Sequence, residues 1–567
     1  MGVLAVYDTV GIQNYIFASN KLAENVGGSK LVADVFARTL PCVIKKTEPN
    51  LPKWRDCVDK PLDPTLKAEI IYEGGGNAYV AYRDGETFQK VTKEFLTRVA
   101  QTAPGIGIAV AAIETNLENN YTDDFKTLNK RLTLVKGGFN MPTFAGNQPI
   151  TKQSGRTGLP TTERDNKDNE YLSESQSMKR KKYRLFKEEN KDSKAKTEDA
   201  KPCCRESEAE IATAAANDET AGESAESITK ERGGTIENFD DLAFEKGKDS
   251  LIAIIHADGN NMGSRIKKKM ESLESYTNAV PAIRGLSKAI NDCYKNAADI
   301  TINAFNEAYA AYISSLREKD KDKYSNEKYD TPPLLELIND GDDITLVICG
   351  RFAIDFAARL LREIGKQDDP FENGTSPTAC AGVVLFNSHY PFSEAYKLAE
   401  ELCASAKKRA REHEPSSFMD IHLHQSGNVA GLEHLRKRQY TIDGKTILRR
   451  PWSVTSADGA DPDFKWFEEN VIHFVPKEIE FKPKTKPAKY PRNKMKALRD
   501  AIGAGDRAAE LVEHQLRGIK LPTLDMPKNE NDKTEPSKYA AIYDILELSD
   551  VYVNLLNREG GKDDGDQ

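Results

Sequence analysis

Two short acidic stretches hold the residues best suited to chemistry. One is His256-Ala257-Asp258-Gly259-Asn260-Asn261-Met262-Gly263 and the other is Asp340-Gly341-Asp342-Asp343. The first closes the apolar run Leu251 to His256. The second sits between Leu334 to Ile338 and the returning run Ile344 to Cys349. In an antiparallel sheet of this order a strand end and the neighbouring hairpin lie side by side, so Asp258, Asp342 and Asp343 are expected to converge. Three clustered carboxylates repel one another unless a cation neutralises them, and hard oxygen ligands select Mg²⁺ or Mn²⁺. Two such ions would bridge an attacking hydroxyl and the α-phosphate of a nucleoside triphosphate. Asp258, Asp342 and Asp343 are therefore the candidate catalytic residues and metal ligands. Gly259 lets a backbone carbonyl approach the ion, and Gly341 permits the positive φ of a tight hairpin. Gly259, Asn260, Asn261, Gly263 and Gly341 are the candidate nucleotide contacts of the two turns. Either tetrapeptide alone reads as an ordinary turn, since Asp, Asn and Gly are common turn formers. Their pairing at adjoining strand ends points to a metal instead.

Lys407 and Lys408 follow an apolar-patterned helix, where an ammonium either reaches the triphosphate as a point charge or is simply solvated. His256 lies within the strand and reads as packed. Met419 to His424 alternates as a strand, and His422 and His424 on one face read as a solvated face in preference to a zinc pair, since no cysteine follows. The eight cysteines contain no C-x-x-C pair and read as reduced, buried thiols.

The elements that must position these residues occur twice. Val3 to Tyr7, a helix around Leu22 to Phe36, the hairpin runs Ala68 to Tyr72 and Ala78 to Tyr82 around Gly74-Gly75-Gly76-Asn77, a helix from Phe88 to Ala100 and a strand from Ile106 to Ile113 follow the ferredoxin-like βαββαβ order. Leu251 to His256, a long helical region through Ile313, the acidic hairpin, a helix from Phe352 to Ile364, a strand from Thr378 to Phe386 and a helix from Phe392 to Arg411 repeat it. The fold class is α+β, with two ferredoxin-like domains, a linker insert and a helical C-terminal domain; the family resemblance of both repeats implies that they are palm domains of the nucleotidyl-cyclase type. The expected boundaries are 1–145 for the first, non-catalytic palm, 146–245 for a partly disordered insert, 246–450 for the second palm with the metal site, and 451–567 for the C-terminal domain and polar tail. Within the insert, Met178 to Lys182 is a basic stretch that reads as a solvated face in preference to an RNA contact. Met495 to Leu516 reads as one amphipathic helix and Tyr539 to Leu556 as another.

At 567 residues the chain is long enough for several cores. Its 81 Lys+Arg against 89 Asp+Glu leave a net charge of −8, so bulk charge gives no argument for nucleic-acid binding. No apolar run approaches the roughly 18–20 residues of a membrane span, and no signal peptide opens the chain, which predicts a cytoplasmic protein without membrane association.

Asp8 to Ser29 resembles the first palm of the large polymerase subunit of type III CRISPR effector complexes. His256 to Gly263, Asp340 to Asp343, Ala381-Gly-Val-Val and Pro391 to Glu400 resemble its second palm. The resemblance implies conversion of ATP into cyclic oligoadenylate messengers for antiviral defence, with guide-RNA effector subunits and target RNA as partners. It also implies metal ligation by Asp258, Asp342 and Asp343, and nucleotide contacts near Asn25, Gly27, Gly28 and Ser29. Three features depart from the family pattern. Asp340 stands where the turn usually has its first glycine, no His-Asp doublet of an HD nuclease occurs, and the cysteine-rich zinc element between the palms is missing. Two other functions fit the same residues, a stand-alone defence polymerase making a cyclic dinucleotide without guide RNA and a non-catalytic scaffold.

Overall fold

The computed structural model describes residues 1–138, 151–166, 169–192, 236–245, 247, 249–271, 273–425, 430–455, 463–475, 490–516, 520–522 and 535–556. These residues form two compact units, one comprising residues 1–232 and 261–292, the other residues 233–260 and 293–567.

The first unit is built on a sheet of strand order β2-β3-β1-β4, with β1 at Gly2–Val10, β2 at Ala68–Gly74, β3 at Asn77–Tyr82 and β4 at Gly107–Thr115. All pairings are antiparallel. The strand β1 is central and covered on both faces, which explains its unbroken apolar run Val3 to Tyr7. The edge strand β4 instead alternates, burying Ala109, Ala111 and Ile113 in turn. The helix Gly85–Thr102 starts where the Asp84 side chain accepts a 2.6 Å hydrogen bond from the Thr87 backbone, filling a donor orphaned by the helix start. The helix Tyr121–Gly137 packs on β4 and β1, and Leu128 and Leu132 join Leu4, Val6 and Ile71 in one core.

The same unit holds a fully buried guanidinium. Arg284 spends its five donors on the carbonyls of Ile71, Ile70, Lys60 and Cys57 and on Glu69, at 2.8–3.2 Å. Truncating it strands the buried Glu69 carboxylate. Arg284→Met is accordingly expected to cost the first unit about 3–5 kcal/mol, read by chemical denaturation. A loss below about 1 kcal/mol would contradict this account.

Much of the expected insert lies outside the described residues, as do Cys203 and Cys204. Its described part is ordered. A hairpin of β5 (Thr161–Asp165) and β6 (Glu170–Ser173) leads into the helix Glu174–Asp192, which packs against the helix Leu22–Asp34. The basic stretch is here, and it is not a solvated face. Lys179 and Arg180 are buried, the Lys179 ammonium donating to the Tyr15 carbonyl and Arg180 pairing with Glu24, Asp165 and Glu170. Charge density pointed to solvent, but these cations are matched by carboxylates distant in sequence.

The second unit carries a six-stranded sheet. From one edge it runs Trp452–Thr455, β11 (Ser417–Leu423), β10 (Ala379–Asn387), β7 (Leu251–Gly259), β9 (Asp343–Cys349) and β8 (Leu334–Asp340). The order β10-β7-β9-β8 repeats β4-β1-β3-β2 of the first sheet, so the two palms share one topology. The strand β11 adds in parallel to β10 and the last strand closes antiparallel. His422 therefore sits on an internal strand and His424 one residue past its end, and both are buried, contrary to the solvated face expected. Burial and neighbouring cations push His422 down to about 3, so it is a neutral core side chain. The helices Gly350–Gly365 and Phe392–Ala410 cover β7 and β10. The 44-residue helix Tyr276–Lys319 supplies residues up to Asp292 to the first unit and the remainder to the second.

The C-terminal residues pack within the second unit and do not separate from it. Leu555 and Leu556 donate their backbone amides to the buried Asp355, and Arg362 pairs with Glu468. Among the described residues six cysteines are buried thiols outside any disulfide. No helix among the described residues is long and apolar enough to cross a membrane.

Candidate active site

The strand β7 runs on through Asp258 and Gly259, past the apolar run visible in sequence, because both neighbours extend with it. Asp258 stands opposite Asp343 of β9 on one side and Cys380 of β10 on the other. Asp340 and Asp343 close the β8–β9 hairpin, with Gly341 at φ 64°. A side chain there would be strained, so the turn requires a glycine. Asp342 at the tip folds back onto Asp258 and hydrogen-bonds it. The three carboxylates that the sequence places far apart are thus adjacent.

The backbone at Gly259 is closed in. A Cβ at this position would lie 2.7 Å from the Tyr294 hydroxyl and 2.9 Å from Asp342 Oδ2, so a larger residue would displace those side chains. Tyr294 donates to the Thr378 carbonyl at 3.1 Å. Asn260 is anchored to Thr378 and Ser416 through its amide, which makes it a buried strut of the turn. Asn261, at φ 56°, precedes the helix Met262–Met270, in whose first turn Gly263 is exposed.

Electrostatics dominate the cluster. Burial, and then the neighbouring Asp258 carboxylate, push Asp342 up to about 7. Lys407 Nζ lies 2.5 Å from Asp258 Oδ2. Burial pulls this ammonium down, but Asp258 outweighs it and holds Lys407 above its ordinary value. Lys408, one residue on, is exposed on the other side of the helix, so of the two candidate lysines only Lys407 enters the site. His256 is buried beneath Asp343, its Nδ1 3.3 Å from Asp343 Oδ1 and 3.2 Å from Thr345 Oγ1. Half-buried Glu400 lies nearby and is raised chiefly by burial. Sequence reading missed the Lys407–Asp258 pair, the His256–Asp343 contact and Glu400. Only the position of Glu400 one helical turn after Tyr396, facing the sheet, offered a signal.

The donor set suits a hard divalent cation, being carboxylates and the Gly259 carbonyl. Among the described residues no three such side chains already surround one point. Lys407 and the raised Asp342 neutralise the cluster instead. For Asp342 the folded state holds its proton up to about pH 7 while the unfolded chain releases it near pH 4. The folded state then binds more protons across that interval, so stability falls as pH rises through it. The metal-free protein is expected to lose a few degrees of thermal midpoint between pH 5 and pH 8. Mn²⁺ at pH 8 should restore them, and Asp342→Asn should remove the pH step. Differential scanning fluorimetry checks all three. A midpoint that rises over the same range would contradict the burial of like charges.

Asn25, Gly27, Gly28 and Ser29 are not at a strand end. They lie buried within the helix Leu22–Asp34 where it meets the helix Glu174–Asp192. A Cβ on Gly27 would fall 1.8 Å from the Lys179 carbonyl oxygen. The residues for which the family resemblance implies nucleotide contacts serve helix packing in this fold, a correction that follows from the described part of the insert.

A family model described as the second palm domain of Cas10/Cmr2 matches residues 251–414, a span containing every acidic residue of the cluster. No curated protein matches the sequence. Among solved structures, the fold resembles a Csm1–Csm4 cassette in complex with cA3, at 14% identity and a TM-score of 0.51, covering 97% of this chain and 70% of that one. Csm1–Csm4 cassettes in complex with pppApA and with cA4 match at 13% and 12% identity, both with TM-scores of 0.50, covering 97% of this chain and 69% and 70% of theirs. At these identities the likeness bears on the fold.

Proposed function

For a chain whose residues 251–414 are a Cas10/Cmr2 second palm within a Cas10-like large-subunit fold, we propose nucleotidyl transfer that joins ATP into cyclic oligoadenylates. The observation that carries this reading is the meeting of Asp258, Asp342 and Asp343 beside Lys407 inside the matched domain. The solved relatives bound to cA3, cA4 and pppApA lend it support.

In each step a ribose 3′-oxygen forms a bond to an α-phosphorus, the α–β phosphoanhydride breaks, pyrophosphate leaves and the hydroxyl proton passes to solvent. A last attack by the terminal 3′-hydroxyl on the chain's own 5′-triphosphate closes the ring. Asp258, Asp342, Asp343 and the Gly259 carbonyl would hold Mg²⁺ or Mn²⁺. Such ions supply charge stabilisation for both oxygens of an in-line displacement. The protein's own residues do the rest. Asp258 and Asp343 are fixed by paired strands, Asp342 by its turn, and His256 supports Asp343 from below. Lys407 is placed to receive phosphate charge. Partner subunits of a guide-RNA complex, a Csm4-like protein among them, and target RNA belong to the same proposal.

The test is mass spectrometry of products formed from ATP with Mg²⁺ or Mn²⁺, with and without copurifying subunits and RNA. Cyclic oligoadenylates support the reading, and exclusive recovery of unchanged ATP under every condition would refute it.

A further inference from the structure

The two palms allow the acidic site to be compared with its counterpart in the same chain. By register, Asp8 stands opposite Asn77 as Asp258 stands opposite Asp343. Gly74 and Asn77 close one hairpin as Asp340 and Asp343 close the other. In both palms the helix that follows the fourth strand returns a lysine to the strand-end aspartate. Lys136 Nζ is 2.7 Å from Asp8 Oδ1, and Lys407 Nζ is 2.5 Å from Asp258 Oδ2. Yet the first palm has Gly76 and Asn77 where the second has Asp342 and Asp343, so its lysine serves the strand-end aspartate with no acidic turn beside it. The ammonium is therefore a standing partner of this aspartate in the palm fold, independent of an acidic cluster.

That standing partner creates a conflict only in the second palm. Asp258 Oδ2 is committed to Lys407, and a divalent cation placed on the same carboxylate would face the ammonium at short range, where like charges repel strongly in a half-buried site. We propose that Lys407 is the resident counter-ion of Asp258 and competes with the divalent cation for it, so that the free protein binds the cation weakly until a triphosphate draws Lys407 away. This inference rests on the reading of Asp258 as a metal ligand. It makes cation and nucleoside triphosphate bind cooperatively, since each relieves the charge that opposes the other.

Mn²⁺ binding followed by electron paramagnetic resonance tests it on the full chain without any turnover. Without nucleotide, Lys407→Met should bind Mn²⁺ about tenfold more tightly than the wild type, the scale set by losing one close charge contact. Lys407→Arg should remain close to wild type. With a non-hydrolysable ATP analogue the wild type should gain Mn²⁺ affinity, and Lys407→Met should gain less. Lys407→Gln repeats the measurement should the methionine variant fail to fold. If the neutral variants bind Mn²⁺ no better than wild type while Asp258→Asn abolishes binding, the competition is refuted and the metal-site reading stands. Full Mn²⁺ affinity in Asp258→Asn would overturn both.

Discussion

Replacing Asp342 and Asp343 together with alanine is expected to lower oligoadenylate formation about a thousandfold or more, the scale of losing electrostatic stabilisation at the reacting phosphate. The Asp342→Ala change taken alone should leave the fold intact and even firm it, whereas the Asp343 change also removes the partner of the buried His256. Asp342 is pushed up by burial and by Asp258, so its removal relieves a repulsion that the metal-free protein otherwise carries. In Asp342→Ala alone activity and thermal midpoint should thus move in opposite directions, which separates loss of chemistry from loss of structure. Product within tenfold of wild type from a double variant of unchanged midpoint would sink the assignment of the acidic turn.

The second large effect lies at Gly382, which carries no reactive group. A Cβ there would fall 2.0 Å from the Ala399 carbonyl oxygen and 2.6 Å from the Cys403 amide nitrogen, both backbone atoms of the helix Phe392–Ala410. Backbone cannot step aside as a side chain does. Gly382→Ala must lift that helix from β10, at a cost of about 3 kcal/mol or more. Because the helix carries Lys407 to Asp258, the variant should also disturb the acidic site at temperatures where it remains folded. Gly263→Ala is the control, since an added Cβ there meets nothing within 4 Å. Denaturant titration of both variants decides the matter, and equal stability would refute the close packing.

The acidic site was legible in sequence because its parts obey local rules. Apolar runs announce strands, Gly341 announces a turn, and the βαββαβ order dictates which ends meet. What could not be read depended on partners distant in the chain. His422 and His424 alternate like an exposed face, yet both are buried, His422 against the Tyr440 ring and His424 against the Tyr390 ring. Lys179 and Arg180 look solvated until Glu24, Asp165 and the Tyr15 carbonyl come into place. The nucleotide contacts that the resemblance implies near Gly27 and Gly28 give way to helix packing, a use of glycine that its identity in the sequence does not distinguish. The expected helix Met495 to Leu516 is two, Arg492–Ile502 and Asp506–Gln515, since apolar periodicity persists across Gly503-Ala504-Gly505 while the backbone does not. Lys136 and Lys407 close on aspartates more than a hundred residues upstream, a match no local pattern encodes.

The hairpin tips of the two palms differ in handedness as well as in charge. In the first, both Gly75 and Gly76 have positive φ, at 60° and 76°, whereas in the second only Gly341 does, leaving Asp342 in ordinary L-residue territory. Placing an aspartate at position 76 would set a Cβ 2.5 Å from the Ile12 side chain on a left-handed backbone, adding about 1 kcal/mol of strain before any ligand is gained. Point mutation alone would not reproduce the acidic turn of the second palm in the first; the loop itself would have to be rebuilt.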